Sequence, residues 1–295
     1  MGWWPVEGGA IGSGFRGRVR GRDGGEPVRQ KIYRYLHEVT APSRRGLAWF
    51  DLIEIGLVAL GFLLYFVVRG AVVDRTSQAM RNADWIIDLQ ESIGLFVEPD
   101  VNRWAVQSEL LVRLFNYTYF WLDFPLIVAV GLLMFWRRRT FYTLLRDALL
   151  ISGGFALILY WSFPVAPPRL VPGYGFVDTL ARYSDVAYQA QSTAPFVNPY
   201  AAVPSLHVGW SVVLAIVVFW ATDRWWLRIG ALTVMVLQSV SVVATANHYI
   251  LDGVVGAAVS LAGLGIAVWL QRAGYPAIRR WLGSRVEAQA ASGVL

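Results

Sequence analysis

The sequence predicts an all-α fold: a polytopic membrane protein, a bundle of about six transmembrane helices with a short interfacial amphipathic helix after the first. Three observations carry the prediction. The 295-residue chain is 56% hydrophobic and only 16% charged, too apolar for an ordinary soluble domain of its length. Its apolar residues gather into runs of roughly 20, the length of helix that crosses about 30 Å of hydrocarbon. Its arginines gather into clusters that flank those runs.

Residues 1–45 are rich in Gly and Arg and hold no apolar run long enough for a signal peptide. They are expected to form a disordered basic cytoplasmic tail, weakly drawn to anionic headgroups, in which His37 is a solvated residue. The transmembrane domain is expected over 46–275, with a cytoplasmic C-terminal tail over 276–295. The first run covers 49–73, with Asp51 and Glu54 near enough to its cytoplasmic end to reach the interface. Segment 74–113 mixes Trp85, Ile86, Ile87, Leu89, Ile93 and Phe96 with acids, the spacing of an amphipathic helix at the interface rather than a span. The remaining runs cover 115–136, 140–163, about 203–220, 229 to about 247, and 250–270.

Charge supplies an independent test of this count. The arginine clusters behind the net charge of +6 lie in the tail, at 137–139 with Arg146, at Arg224 with Arg228, and over 272–285. Six crossings put all four on one face, which the positive-inside rule makes cytoplasmic, with both termini. Read this way the clusters are topology signals rather than a nucleic-acid footprint, and no nucleic-acid partner is expected. The opposite, extracytoplasmic face is expected to receive Arg169, His207 and His248, and the membrane is expected to be a plasma membrane of bacterial type. With no cysteine, the chain has no disulfide, thiolate metal site or cysteine nucleophile.

Two of the three histidines stand at the ends of apolar runs, in Pro204-Ser205-Leu206-His207 and Asn247-His248-Tyr249-Ile250-Leu251-Asp252. A titratable group there is costly to keep unless it serves a function. His248 and Asp252 are four apart and touch if the helix is unbroken; a carboxylate beside an imidazole fixes its tautomer and leaves the other nitrogen free to attack or take a proton. Gln238, Ser241 and Thr245 continue that spacing as a polar stripe, which either faces a cavity or bonds helices together. Pro204 suits a first helical turn and Ser205 a cap, which would make an anion site beside His207, or simply a capped helix with an interfacial histidine. Arg169, in Ala166-Pro167-Pro168-Arg169, can fork onto two phosphate oxygens or anchor at the interface. Asp123, inside the second run near Asn116, Tyr117 and Tyr119, either contacts a polar headgroup or pairs with a Tyr or Trp.

Pro-Pro-Arg, then Pro-Ser-Leu-His, then His-Tyr-Ile-Leu-Asp, in this order at the ends of successive spans, resembles the type 2 phosphatidic acid phosphatase superfamily, over roughly 116–270. More narrowly it resembles the branch of inositol phosphorylceramide synthases, inositolphosphotransferases, and their bacterial relatives. The resemblance implies that His248 is a nucleophile forming a phosphohistidine, oriented by Asp252. It implies His207 as general acid, Arg169 and Ser205 as holders of phosphate oxygens, and no metal or other cofactor. Asp123, Asn116, Tyr117 and Asn247 are the candidate headgroup contacts. Two positions depart from the superfamily pattern: Ser162 stands where a lysine is expected, and Val242 where an arginine is. A monoester, with close to two negative charges, would want those cations, so their absence favours a phosphodiester lipid and headgroup transfer. The partners implied are a membrane lipid substrate and the bilayer; hydrolase and transferase use the same residues, and oligomeric state is open.

Three other readings stand beside this one. The first is a lipid phosphomonoester or polyprenyl phosphate phosphatase. The second is a metal hydrolase built on His207, His248 and Asp252. The third is a transporter or scaffold, for which discontinuous helices and inverted repeats are expected and not evident in the sequence.

Overall fold

The computed structural model describes residues 75–183 and 200–291, with a few isolated positions between 28 and 63. The expected tail with His37, the pair Asp51 and Glu54, and nearly all of the first expected span lie outside the described residues. Two compact units divide the chain: Arg44–Ala277, which holds the site, and Met1–Ser43 with Ile278–Leu295. Among the described residues the regular elements are helices, apart from one isolated bridge between Val165 and Ala201.

The expected amphipathic segment is two helices and the start of a third. In α1, Thr76–Ser92, the residues Ala79, Ala83, Ile86, Ile87 and Gln90 form one buried face at helical spacing. It ends at Gly94, whose φ of 69° suits glycine, with Gly94 N–H bonded to Glu91 O and Leu95 N–H to Gln90 O, the paired bonds of a Schellman stop. Then α2 covers Glu98–Val106 and buries Glu98, Asn102 and Ala105.

The second expected span is also broken. Helix α3, Glu109–Trp121, starts at Ser108, whose hydroxyl accepts from Leu111 N–H, and α4 resumes over Phe124–Arg137 after a bend of 44°. Pro125 explains the break: it lacks an N–H, and its ring would clash with the carbonyl of Trp121 four residues back. This discontinuity is not evident from the apolar run alone.

Helix α5, Arg139–Ser162, leads to a single 3-10 turn at Pro168–Leu170 and the short α6, Thr179–Tyr183. Helix α7 covers Leu206–Ala221, α8 Trp225–Ala244 and α9 Ile250–Trp269, which runs through a π turn at Leu270–Gly274 into α10, Tyr275–Ala291. Three described helices, α5, α8 and the continuous Ile250–Arg285, are long and apolar enough to cross a bilayer, and the α3–α4 pair makes a fourth candidate. Six crossings are therefore not all present among the described residues. The expected span from about 203 is the 16-residue α7, because Pro204 and Ser205 lie outside it; at 1.5 Å per residue it is about 24 Å long. Its residues 208–211, 213–215 and 217 are buried all round the helix, as suits an element enclosed by α5, α8 and α9.

Small residues set how closely those helices approach. A Cβ on Gly256 of α9 would lie 2.0 Å from the Ser205 carbonyl oxygen, and one on Gly209 of α7 2.3 Å from that of Gly256. Backbone contact of this kind is how helices associate where lipid removes the hydrophobic drive. Ser205 N–H also donates to Asp252 O across the same seam, at 2.9 Å.

Helices α1 and α2 hold the break between α8 and α9 from outside. Asn102 Nδ2 donates to Ala244 O, the last carbonyl of α8, at 2.8 Å. Glu98 Oε1 accepts from Ile250 N–H at 2.8 Å, and Gln90 Oε1 from Leu251 N–H at 3.0 Å, so the opening donors of α9 are satisfied by buried side chains. Removing the Glu98 acceptor by Glu98→Ala is expected to cost about 1–3 kcal/mol. Burial, the largest influence, pushes the Glu98 carboxyl above its ordinary range, against the lowering effect of the bonds from Ile250 and Gln90. Such a group stabilises the fold while protonated, and loses that contribution as pH rises from the ordinary carboxylate range through the raised value. Glu98→Gln keeps an oxygen for Ile250 without titrating. Its unfolding temperature in detergent is expected to depend less steeply on pH across that window, and an unaltered slope would refute the assignment.

Candidate active site

The turn between α8 and α9 presents His248. Helix α8 ends at Ala244, and Ala246 takes φ 55°, a left-handed conformation costing a non-glycine residue about 1–2 kcal/mol. Four bonds hold it: Ala246 N–H donates to Val243 O at 2.9 Å, Asn247 N–H and His248 N–H donate to Val242 O, and Arg169 N–H donates to Ala246 O at 3.0 Å. His248 and Asp252 therefore meet, but not along an unbroken helix. Asp252 is the third residue of α9, and its Oδ2 accepts from Tyr249 N–H at 2.8 Å while lying 3.3 Å from His248 Nδ1.

The shorter bond of His248 is to a carbonyl: Nδ1 lies 2.8 Å from Ala202 O. Both neighbours of Nδ1 are acceptors, so it carries the proton, and in the neutral ring Nε2 holds the lone pair. The His207 ring, on the second residue of α7, has its centroid 5.7 Å from that of His248. Asp123 Oδ2 lies 3.3 Å from His207 Nε2, and the Tyr119 ring stacks on the His207 ring at 4.2 Å. Asp123 occupies the N-cap position of α4 without capping it; the helix break instead brings its carboxylate to the histidine.

Ser205 precedes α7 as expected, but its hydroxyl does not cap the helix. Its Oγ is buried and has no hydrogen-bond partner among the described residues, while Tyr160 OH donates to Pro204 O beside it. Arg169 is held by two side chains: Nη1 donates to Asn247 Oδ1, and Nε lies 3.3 Å from Asp178 Oδ2. Asn247 in turn donates to Thr245 Oγ1 at 2.9 Å. Gln238, Ser241 and Thr245 are all buried.

Of the candidate headgroup contacts, Asp123 meets His207 and Asn247 meets Arg169. Asn116 is committed elsewhere: its amide donates to Thr179 O and accepts from Thr179 Oγ1, fastening α3 to α6. Tyr117 is exposed beside Trp121, two residues and about 200° of helix from Tyr119. Ser162 donates to Leu159 O of its own helix, and Val242 is buried with Val208 and Val243, so neither position supplies a cation. The sequence pattern gives Tyr119 no role of its own and does not single out Asp178, Asn102, Glu98 or Gln90. Tyr119 and Asp123, four apart and flanking the proline break, are the one legible signal among them.

These elements define an integral membrane helical bundle with paired histidines at one end of its apolar helices. The chain matches the PAP2 superfamily over residues 84–266, more than half its length, and belongs to that superfamily. The match starts in α1, earlier than the motif resemblance at 116, and so includes the helices that hold Ala244 and Ile250. The chain is similar to a phosphoinositol dihydroceramide synthase of Bacteroides thetaiotaomicron, 26% identical over 189 residues, 58% of this chain and 60% of that protein. This similarity agrees with the inositol phosphorylceramide synthase-like branch that the motifs resemble. It spans less than two thirds of that relative's length. No solved structure matches.

Proposed function

We propose that the protein is a lipid phospho-headgroup transferase working through a phosphohistidine on His248. The observation that carries this is the pair of neighbouring rings, their centroids 5.7 Å apart, with His248 Nδ1 tied to Ala202 O and Asp252 so that Nε2 is the available nucleophile. Nε2 attacks phosphorus, and the bond to the leaving alcohol breaks as His207 gives that oxygen its proton. Asp123 and Tyr119 position His207 for both proton transfers. In the second half His207 takes the proton of the acceptor hydroxyl, whose oxygen attacks the phosphohistidine and restores Nε2. Arg169 and the Ser205 hydroxyl, which has no partner among the described residues, hold the non-transferring oxygens, the electrostatic part of phosphoryl transfer. The residues perform these steps without calling on a metal.

Neutral Ser162 and Val242 support a phosphodiester donor, and the similarity to the synthase supports an inositol phosphate headgroup passed to a ceramide-type hydroxyl. The arginine distribution supports an extracytoplasmic site. The test is turnover by the purified full chain in liposomes. Phosphatidylinositol with a ceramide acceptor is expected to be consumed faster than phosphatidic acid or a polyprenyl diphosphate, with product unaffected by chelator. The reverse order would replace the transferase with a monoester phosphatase.

A further inference from the structure

We propose that Asp178 sets the charge preference of the phosphate site, holding Arg169 as a half-neutralised cation suited to a singly charged phosphodiester; this rests on the reading of Arg169 as the phosphate holder. Of the three cation positions in the superfamily pattern, Ser162, Arg169 and Val242, only Arg169 is charged here. Asp178 Oδ2 lies 3.3 Å from Nε of that one guanidinium, and both side chains are mostly shielded, 29% and 16% accessible, where water screens a charge poorly. Asn247 takes a donor on Nη1. The guanidinium has five N–H groups in all, so enough remain to fork onto one phosphate. What Asp178 removes is not the hydrogen bonds but the net charge.

A diester carries one negative charge, whereas a monoester approaches two above its second pKa of about 6. Each added charge on the substrate meets the Asp178 carboxylate as well as the arginine, so the aspartate penalises the monoester more than the diester. Asp178 also supports the fold, because its Oδ1 accepts from Ala181 N–H at 2.9 Å and caps α6. Asparagine caps a helix as well as aspartate does. Asp178→Asn therefore keeps the cap and deletes only the charge.

The experiment compares kcat/KM for phosphatidic acid and for phosphatidylinositol in liposomes, for the full chain and for Asp178→Asn. The monoester-to-diester ratio is expected to rise about tenfold in the variant. An unchanged ratio with turnover retained overturns the proposal. Asp178→Ser, another neutral capping residue, supplies the same comparison if Asp178→Asn fails to fold. A second readout does not depend on turnover: the shift in unfolding temperature produced by inorganic phosphate, mostly dianion at a pH well above its second pKa, against that by dimethyl phosphate, a monoanion. Asp178→Asn is expected to strengthen the effect of the dianion relative to the monoanion, and equal shifts in both proteins overturn the proposal. If the unaltered protein consumes neither lipid, the proposed function fails, while the ion comparison still decides the role of Asp178.

Discussion

His248→Asn is expected to lower headgroup transfer by at least about 10⁴-fold while leaving the unfolding temperature nearly unchanged. The asparagine amide can sit where Nδ1 now sits and keep the bond to Ala202 O, so the turn survives while the proposed nucleophile is gone. Phosphorus-labelled substrate should mark the unaltered chain with an acid-labile phosphoryl group and leave the variant unmarked. Turnover within tenfold of the parent would require another nucleophile. Asp252→Asn is expected to cost less, about 10²-fold. In a serine protease triad the aspartate alone sets the histidine tautomer, and its amide variant loses about 10⁴. Here a carbonyl makes the shorter contact, 2.8 Å against 3.3 Å for the carboxylate. Asp252 is left with stabilising positive charge on the ring, and with holding Tyr249 N–H, which an amide oxygen can also do.

Much of this site is legible in the sequence because its motifs are local and stand at the ends of apolar runs. The spacing of Gln238, Ser241 and Thr245 marks a face that is indeed buried. The same spacing places His248 against Asp252 for an incomplete reason, since the helix ends at Ala244 and the contact arises from the way Asp252 caps the next one. Long-range bonds between side chains and backbone have no period. Nothing about Glu98 or Asn102 in a row of interfacial residues announces Ile250 or Ala244, which lie 152 and 142 residues further along. An apolar run also hides its own breaks: Asp-Phe-Pro at 123–125 passes as membrane by composition, yet the proline opens the helix and delivers Asp123 to His207. Asn116 illustrates the converse. A polar residue near the outer end of an apolar run suggests a headgroup contact, yet its amide is spent on Thr179.

Gly256→Ala is expected to lower turnover about 10²-fold and destabilise the fold by about 1–3 kcal/mol, a large effect for one methyl group remote from phosphorus. The new Cβ would start 2.0 Å from the Ser205 carbonyl oxygen, and backbone cannot swing aside as a flexible side chain can. Relief requires α7 and α9 to part by about an ångström, on the order of the misplacement that costs 10²-fold in rate. Ser205 N–H is bonded to Asp252 O at that seam, His207 is two residues along one helix, and His248 stands two residues before the other. Separation there therefore widens the 5.7 Å between the imidazoles. Gly265→Ala, in the same helix, is the control: its Cβ would meet nothing within 4 Å. Alanine there should gain up to about 1 kcal/mol of helix propensity and leave turnover unchanged. Equal activity in the two variants would show that the close approach of α7 and α9 does not govern the spacing of the histidines.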